Sequence, residues 1–327
     1  MVPEPPKRIS PIIPKQPNLL VILIVGVVAA TLTFMILFYF SKENYTPDDS
    51  AEPTVVETEK DLSDAPEAEK SPPSLINFQE ILDSWAASLP KSVNYGVLVY
   101  DLDNEKTVGE LNADQIFNLA SLYKLFVVYE GYRRVDSNEW DGSGKIAGNY
   151  TISECLDLSI RESNSTCAES LLARIGESSL EAILNNNYNL KNASVENLTS
   201  SPRDFAKFLK LVYAHESLSD ATFAKLLDSM LNQPATKSDL CDGSCDWRMG
   251  LPSGFSASAK VYNKVGWSYD PEEKIWKIYN DAALVSFPDK NRNYAVVVLT
   301  ENLPAGSASV TALTSLASAL EALISEN

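Results

Sequence analysis

The sequence predicts an α/β (α+β) fold: one antiparallel five-stranded sheet flanked by helices, with an all-helical subdomain beside it. Three observations carry this reading. Two strand-like stretches lie near Tyr100, a long helical middle follows, and three more strand-like stretches from Ala259 onward end in a helix. Strands at both ends with helices between them suggest one sheet built from the two ends of the chain, covered by the terminal helices.

The first 73 residues of the 327-residue chain lie outside this fold. Residues 1–18 are proline-rich and carry Lys7, Arg8 and Lys15, and read as a cytoplasmic tail. Residues 19–40 hold no charge and are long enough to cross a hydrocarbon core of roughly 30 Å. A cleaved signal peptide fits poorly, because the run is too long and bulky Phe38, Tyr39 and Phe40 stand where a cleavage site needs small side chains. The expectation is an uncleaved transmembrane helix. Basic residues before it and acidic ones after it place the N-terminus in the cytoplasm, making a single-pass protein of the cell membrane with its bulk extracytoplasmic. Residues 41–73 are rich in Asp, Glu, Pro, Ser and Thr, cannot offset ordering entropy by burial, and read as a disordered acidic linker. The folded unit is then 74–327.

Within that unit, Leu75 to Leu89 places Ile76, Ile81, Leu82 and Trp85 at helical spacing and stops at Pro90. Tyr95 to Tyr100 and Thr107 to Leu111 read as a hairpin closed by the polar turn Asp101 to Asn104. A helix opens at Ser121. Helical patterns follow over Glu154 to Ser159, Cys167 to Ile175, Leu180 to Leu184, Pro202 to Ala214 and Asp220 to Leu231. Strand character returns in Ala259 to Val265, Ile275 to Phe287 and Tyr294 to Leu299, and Ser307 to Ile324 reads as the last helix.

The formal net charge of -17, with no basic run, argues against a nucleic-acid partner. All four cysteines fall in the predicted exterior unit, where disulfides persist; local pairing of Cys155 with Cys167 and of Cys241 with Cys245 is expected. Zinc is the alternative, but the one histidine, His215, is remote and the spacings fit no common finger. No metal and no cofactor are expected, since nothing resembles a phosphate-binding glycine loop either. A monomer is expected.

The chemistry concentrates at Ser121-Leu122-Tyr123-Lys124. Positions i and i+3 of a helix share a face, so the Lys124 amine can reach the Ser121 hydroxyl. The N–H groups at a helix start are free to donate to an oxyanion. A second such string, Ser88-Leu89-Pro90-Lys91, is broken by its proline and reads as a helix end. Two further strings stand in ordered settings. Ser163-Asn164-Ser165 precedes a helix, and Lys264-Val265-Gly266 ends a strand and is followed by Trp267. Taken alone, these two read as a capped polar turn and an ordinary strand terminus.

Together, in this order, the three strings resemble the Ser-x-x-Lys, Ser-Asp-Asn and Lys-Thr-Gly motifs of the penicillin-recognising serine hydrolases, most closely the class A β-lactamases. The resemblance covers about residues 75–325 and extends to Thr199-Ser200-Ser201-Pro202, similar to that family's Thr-Thr-Pro helix start. It implies a β-lactamase/transpeptidase-like fold with Ser121 as acylated nucleophile, Lys124 as its base and Ser163 as proton relay to the leaving nitrogen. Ser165, Lys264 and Gly266 would bind substrate, and the N–H groups of Ser121 and Trp267 would form the oxyanion hole. The implied partner is a small β-lactam or peptidoglycan-like substrate. A lysine acts as base only where desolvation or neighbouring cations lower its pKa; Leu125, Phe126 and Lys264 are placed to do this.

Three departures stand out. Asn164 and Ser165 replace the Asp and Asn of the second motif, and Val265 replaces the hydroxyl residue of the third. The interval Asn185 to Asn192 contains no Glu-x-x-x-Asn string, which supplies the family's deacylating carboxylate, and Glu196 lies too close to Thr199 to match. Acylation without fast hydrolysis is thus one expectation. The readings are a membrane-anchored β-lactamase-type serine hydrolase, a penicillin-binding D-Ala-D-Ala carboxypeptidase-like enzyme with slow β-lactam deacylation, and an inactive wall-binding module.

Overall fold

A computed structural model describes residues 75–233, 237–238, 245–246, 248–305 and 307–327, with no side chain described at 237–238, 245–246 and 307–310. The predicted tail, span 19–40 and linker, and the second predicted cysteine pairing, lie outside what is described. Among the described residues no helix is long and apolar enough to cross a membrane.

The frame is a five-stranded antiparallel sheet in the order β2-β1-β11-β10-β9. Its strands are β1 (Asn94–Asp101), β2 (Lys106–Leu111), β9 (Lys260–Asp270), β10 (Ile275–Phe287) and β11 (Arg292–Pro304). The expected assembly from both ends is present: β11 pairs with β1, Leu98 opposite Val297 and Val97 opposite Val298. Residues Val97 to Val99 and Val296 to Val298 are apolar without alternation because both faces of these strands are buried. One face, with Val97, Val99, Val296 and Val298, packs on α1 (Gln79–Ser88) and α8 (Ser307–Glu326) through Leu82, Trp85, Leu313, Leu316 and Leu320. Trp85 Nε1 ties the two helices, donating to Ala312 O at 2.8 Å.

The opposite face, with Leu98, Ala282, Leu284 and Val297, packs on the helical middle. That part holds α2 (Lys124–Asp136), α3 (Ile152–Arg161), α4 (Ser165–Ile175), α5 (Glu177–Ala182), α6 (Pro202–Ala214) and α7 (Asp220–Leu231). Its apolar centre is the aromatic group Phe126, Tyr129, Phe205 and Phe208, with ring centroids of Phe126 and Phe208 4.7 Å apart. The helix expected after Ser121 is present as α2, and every residue of it from Lys124 to Tyr132 is buried. Three short strand pairings are beyond sequence periodicity: β4 (Lys145–Ala147) with β5 (Tyr150–Thr151), β7 (Lys237–Ser238) with β8 (Cys245–Asp246), and β3 (Phe117–Asn118) with β6 (Thr199–Ser200), the last of which bears on the site.

Several boundaries differ from expectation; the first helix, for one, starts at Gln79 and not at Leu75. The helix expected at Ser121 begins at Lys124, and Ser121 lies in a 3₁₀ turn, Ala120–Tyr123. The strand expected to end at Val265 continues to Asp270, carrying Lys264 and Gly266 in mid-strand opposite Ala282 and Asn280. β11 likewise runs past Leu299 to Pro304.

A disulfide joins Cys155 of α3 to Cys167 of α4, the first of the two expected pairings. It closes a short loop, for which chain-entropy arguments give about 3 kcal/mol. The double variant Cys155→Ser/Cys167→Ser is expected to melt roughly 6–12 °C lower than the parent in calorimetry. Addition of reductant should bring the parent towards the variant's Tm.

Candidate active site

The site forms where the 3₁₀ turn 120–123, the start of α4 and the edge strand β9 meet. The turn is pinned from several sides. Leu119 N donates to Leu198 O at 2.6 Å, Ala120 N donates to Asn118 Oδ1 at 2.9 Å, and Asn280 Nδ2 donates to Asn118 O at 2.7 Å. Ala120, just before Ser121, has φ 44°, and Ser163 has φ 55°. Neither is glycine, and left-handed backbone at such residues persists only where the surroundings enforce it. Two strained residues thus flank the predicted chemistry.

Gly266 explains how closely β9 approaches. A Cβ built there would lie 2.0 Å from Leu119 O and 3.1 Å from Leu122 N, so only glycine lets the strand and the turn touch. β9 is the sheet edge, and such a strand has backbone N–H and C=O groups with no strand partner on its outer side. The Trp267 side chain belongs to the apolar cluster on the α1/α8 face, stacked on Tyr279 with centroids 5.2 Å apart. What Trp267 can bring to an oxyanion is therefore its backbone. Val265 is 1 % exposed in the same cluster, so its apolar character answers to packing across the sheet.

Two buried lysines converge on one hydroxyl. Lys124 Nζ donates to Ser163 O (2.5 Å), Ser165 Oγ (3.0 Å) and Ser163 Oγ (3.3 Å), and Lys264 Nζ donates to Ser163 Oγ at 3.0 Å and to Val265 O at 3.1 Å. Ser163, Ser165, Lys124 and Lys264 are thus joined in one network. Ser121 is half-buried, three residues before Lys124, but among the described residues no hydrogen bond joins its hydroxyl to Lys124. In a 3₁₀ turn, side chains at i and i+3 eclipse, which keeps the two on the same side.

Burial lowers the Lys124 pKa to about 8, against a smaller upward pull from Glu169. Burial, and then the charge of Lys124, hold Lys264 well below its ordinary value, with Asp281 pulling the other way. One of two neighbouring buried ammonium groups therefore loses its proton readily, and a neutral amine can accept one. The Ser163 hydroxyl accepts from both lysines, so its own proton is available to donate.

The second motif's departure has a local cause. Asn164 caps α4, its Oδ1 accepting from Cys167 N at 3.0 Å, and either Asn or Asp serves there. At the start of the Asn185 to Asn192 interval, Ile183–Asn187 form one π-helical turn; Glu181, four residues before Asn185, accepts from Val195 N at 2.8 Å, and Glu196 is exposed. His215 caps the end of α6 and stacks on Phe223 at 4.1 Å, outside this network. The second Ser-x-x-Lys string sits at the end of α1, with Ser88 Oγ donating to Trp85 O and Lys91 exposed.

A buried acid behind β9 was not expected. Asp281, opposite Val265, accepts from Asn263 Nδ2 (2.9 Å) and Leu251 N (3.0 Å), and burial raises its pKa to about 7. Asn263 also accepts from Gln233 Nε2 through its backbone oxygen at 2.7 Å. The signal in the sequence was Asn280-Asp281 interrupting an apolar strand.

The model of the β-lactamase enzyme family matches residues 77–324. The chain belongs to the β-lactamase enzyme family. Its members at this level are β-lactamase-like serine hydrolases. In fold, the chain is similar to PBP-A (17% identity, TM-score 0.65, covering 79% of this chain and 100% of that one). It is also similar to a β-lactamase from Chitinophaga pinensis (18% identity, TM-score 0.60, 74% and 98%) and to the TLA-1 extended-spectrum β-lactamase (16% identity, TM-score 0.64, 75% and 98%). No curated protein matches the chain. A PBP-A mutant is described as an acyl-enzyme complex with penicillin G.

Proposed function

We propose that this β-lactamase-family chain is a membrane-anchored serine hydrolase that acylates Ser121 with β-lactams or related cell-wall amides. The observation that carries the reading is the convergence of buried Lys124 and Lys264 on Ser163 Oγ beside the Ser121 turn. In this scheme neutral Lys124 takes the Ser121 proton as Oγ attacks the amide carbonyl carbon, and the oxyanion is held by the N–H groups of Ser121 and Trp267. Ser163 passes a proton to the leaving nitrogen. Ser165 and Lys264 bind the substrate's amide and carboxylate, and Gly266 keeps β9 close enough for them to act. Residues 19–40 anchor the protein with its catalytic unit extracytoplasmic, a reading supported by that charge-free run and the basic residues before it.

The carboxypeptidase-like alternative is favoured by one observation, the interval Asn185 to Asn192, which contains no glutamate. The likeness to PBP-A is compatible with it. Incubation with a fluorescent penicillin separates the readings. Ser121-dependent labelling is expected, with Ser121→Ala losing at least about 10³-fold in rate. Rapid release of the label points to a β-lactamase and a long-lived adduct to the alternative. Equal labelling of the Ser121→Ala protein would refute the assignment of the nucleophile.

A further inference from the structure

An ester on Ser121 is hydrolysed only if a base removes a proton from the attacking water, and the interval Asn185 to Asn192, expected to supply a carboxylate, holds no acidic residue. α4 supplies one. Ser165, its first residue, accepts from Lys124 Nζ at 3.0 Å, which fixes the face of α4 turned towards the nucleophile's turn. Glu169 stands four residues on, and positions i and i+4 lie on one face. Helical side chains lean towards the helix N-terminus, so Glu169 covers the turn that carries Ser165. Its carboxylate is exposed, and among the described residues no hydrogen bond or ion pair engages it. Its charge acts on both Tyr123 and Lys124, the two residues that follow Leu122 in the nucleophile's own segment. The disulfide at Cys167 ties this first stretch of α4 to α3.

We infer that Glu169 is the general base of deacylation. The inference rests on acylation of Ser121 as proposed above. The water oxygen bonds to the ester carbonyl carbon while a water proton passes to the Glu169 carboxylate. Collapse of the tetrahedral intermediate breaks the bond between that carbon and Ser121 Oγ. The oxygen takes up one proton, returned from Glu169 directly or through Lys124. The products are the free acid and the restored Ser121 hydroxyl, and no other reactant is needed.

The test follows acylation and release separately on the full-length protein with a chromogenic cephalosporin. Intact-mass spectrometry counts the adduct and absorbance counts turnover. Glu169→Gln is expected to acylate within about threefold of the parent and to release the adduct at least about 10²-fold more slowly, within the range for loss of a general base. Glu169→Asp should recover part of the release rate, which a merely structural role would not require. Unchanged release in Glu169→Gln, or loss of acylation together with release, overturns the inference while leaving Ser121 in place. Matched melting temperatures of the three proteins guard against misfolding. Failure of the parent to form any Ser121-dependent adduct instead overturns the acylation reading, and this inference falls with it.

Discussion

Lys124→Met is expected to slow acylation of Ser121 by about 10²–10⁴-fold, the range for removal of a general base. Stability should stay within about 2 kcal/mol of the parent, because two changes oppose each other. The substitution removes a desolvated cation, which favours folding. It also takes the donor from Ser163 O and Ser165 Oγ, which disfavours it. Loss of rate with the fold kept is what distinguishes a base from a structural lysine. The parent should show a pH signature as well. Its acylation rate should rise as the Lys124 ammonium loses its proton through about pH 8, and that limb should vanish in the variant.

The equilibrium counterpart has a definite sign. Lys124 titrates near 8 when folded and at its ordinary value of 10.5 when unfolded, so between these pH values the unfolded chain holds more protons. Stability therefore rises with pH across that window, and Lys264, also lowered, adds in the same direction. Urea denaturation at several pH values would measure the rise, and Lys124→Met should flatten part of it.

Gly266→Ala is expected to be the most damaging change that removes no functional group. The added methyl would meet Leu119 O at 2.0 Å, a contact that side-chain motion cannot relieve because the partner is backbone. Either β9 or the 120–123 turn must move. Overpacking of this kind costs about 1–3 kcal/mol, and misplacing an oxyanion donor costs a further factor of about 10²–10³ in rate. Labelling by a fluorescent penicillin should fall with that factor, and the melting temperature should fall too. Ala at Gly148, which has open space around it, is a control for added bulk, although its φ of 56° carries strain of its own.

The frame of this molecule is legible because its strands and helices carry sustained runs of apolar residues. Val97 to Val99, Ile275 to Phe287 and the α2 stretch each carry that signal over several residues. The elements that misled are those where one residue has two meanings. Gly266 reads as a strand stop, yet it lies in mid-strand because the Leu119 carbonyl needs the space of its missing side chain. Ser121 reads as helical, yet the left-handed Ala120 and the bonds from Asn118 and Leu198 wind its turn more tightly.

Contacts between distant positions had no local signature. Asn280 reaches Asn118 across 162 residues, and nothing near either residue announces the partner. Asp281 likewise collects Asn263 and the Leu251 N–H from separate segments. The spacing of Glu169 from Ser165 was visible. Its relevance required knowing which face of α4 meets Lys124.

The central position of β11 has a consequence for how the chain reaches its native state. β11 lies between β1 and β10, although it is the last strand to be synthesised. The first hairpin has no central neighbour until nearly the whole chain exists, and such distant pairings fold slowly compared with local ones. The Ser121 turn is in the same position, since Gly266 and Asn280, which hold it, arrive only with the final strands. A nascent or truncated chain would carry Ser121, the proposed nucleophile, without its frame, so in the proposed scheme competence to react arises in one late, cooperative step.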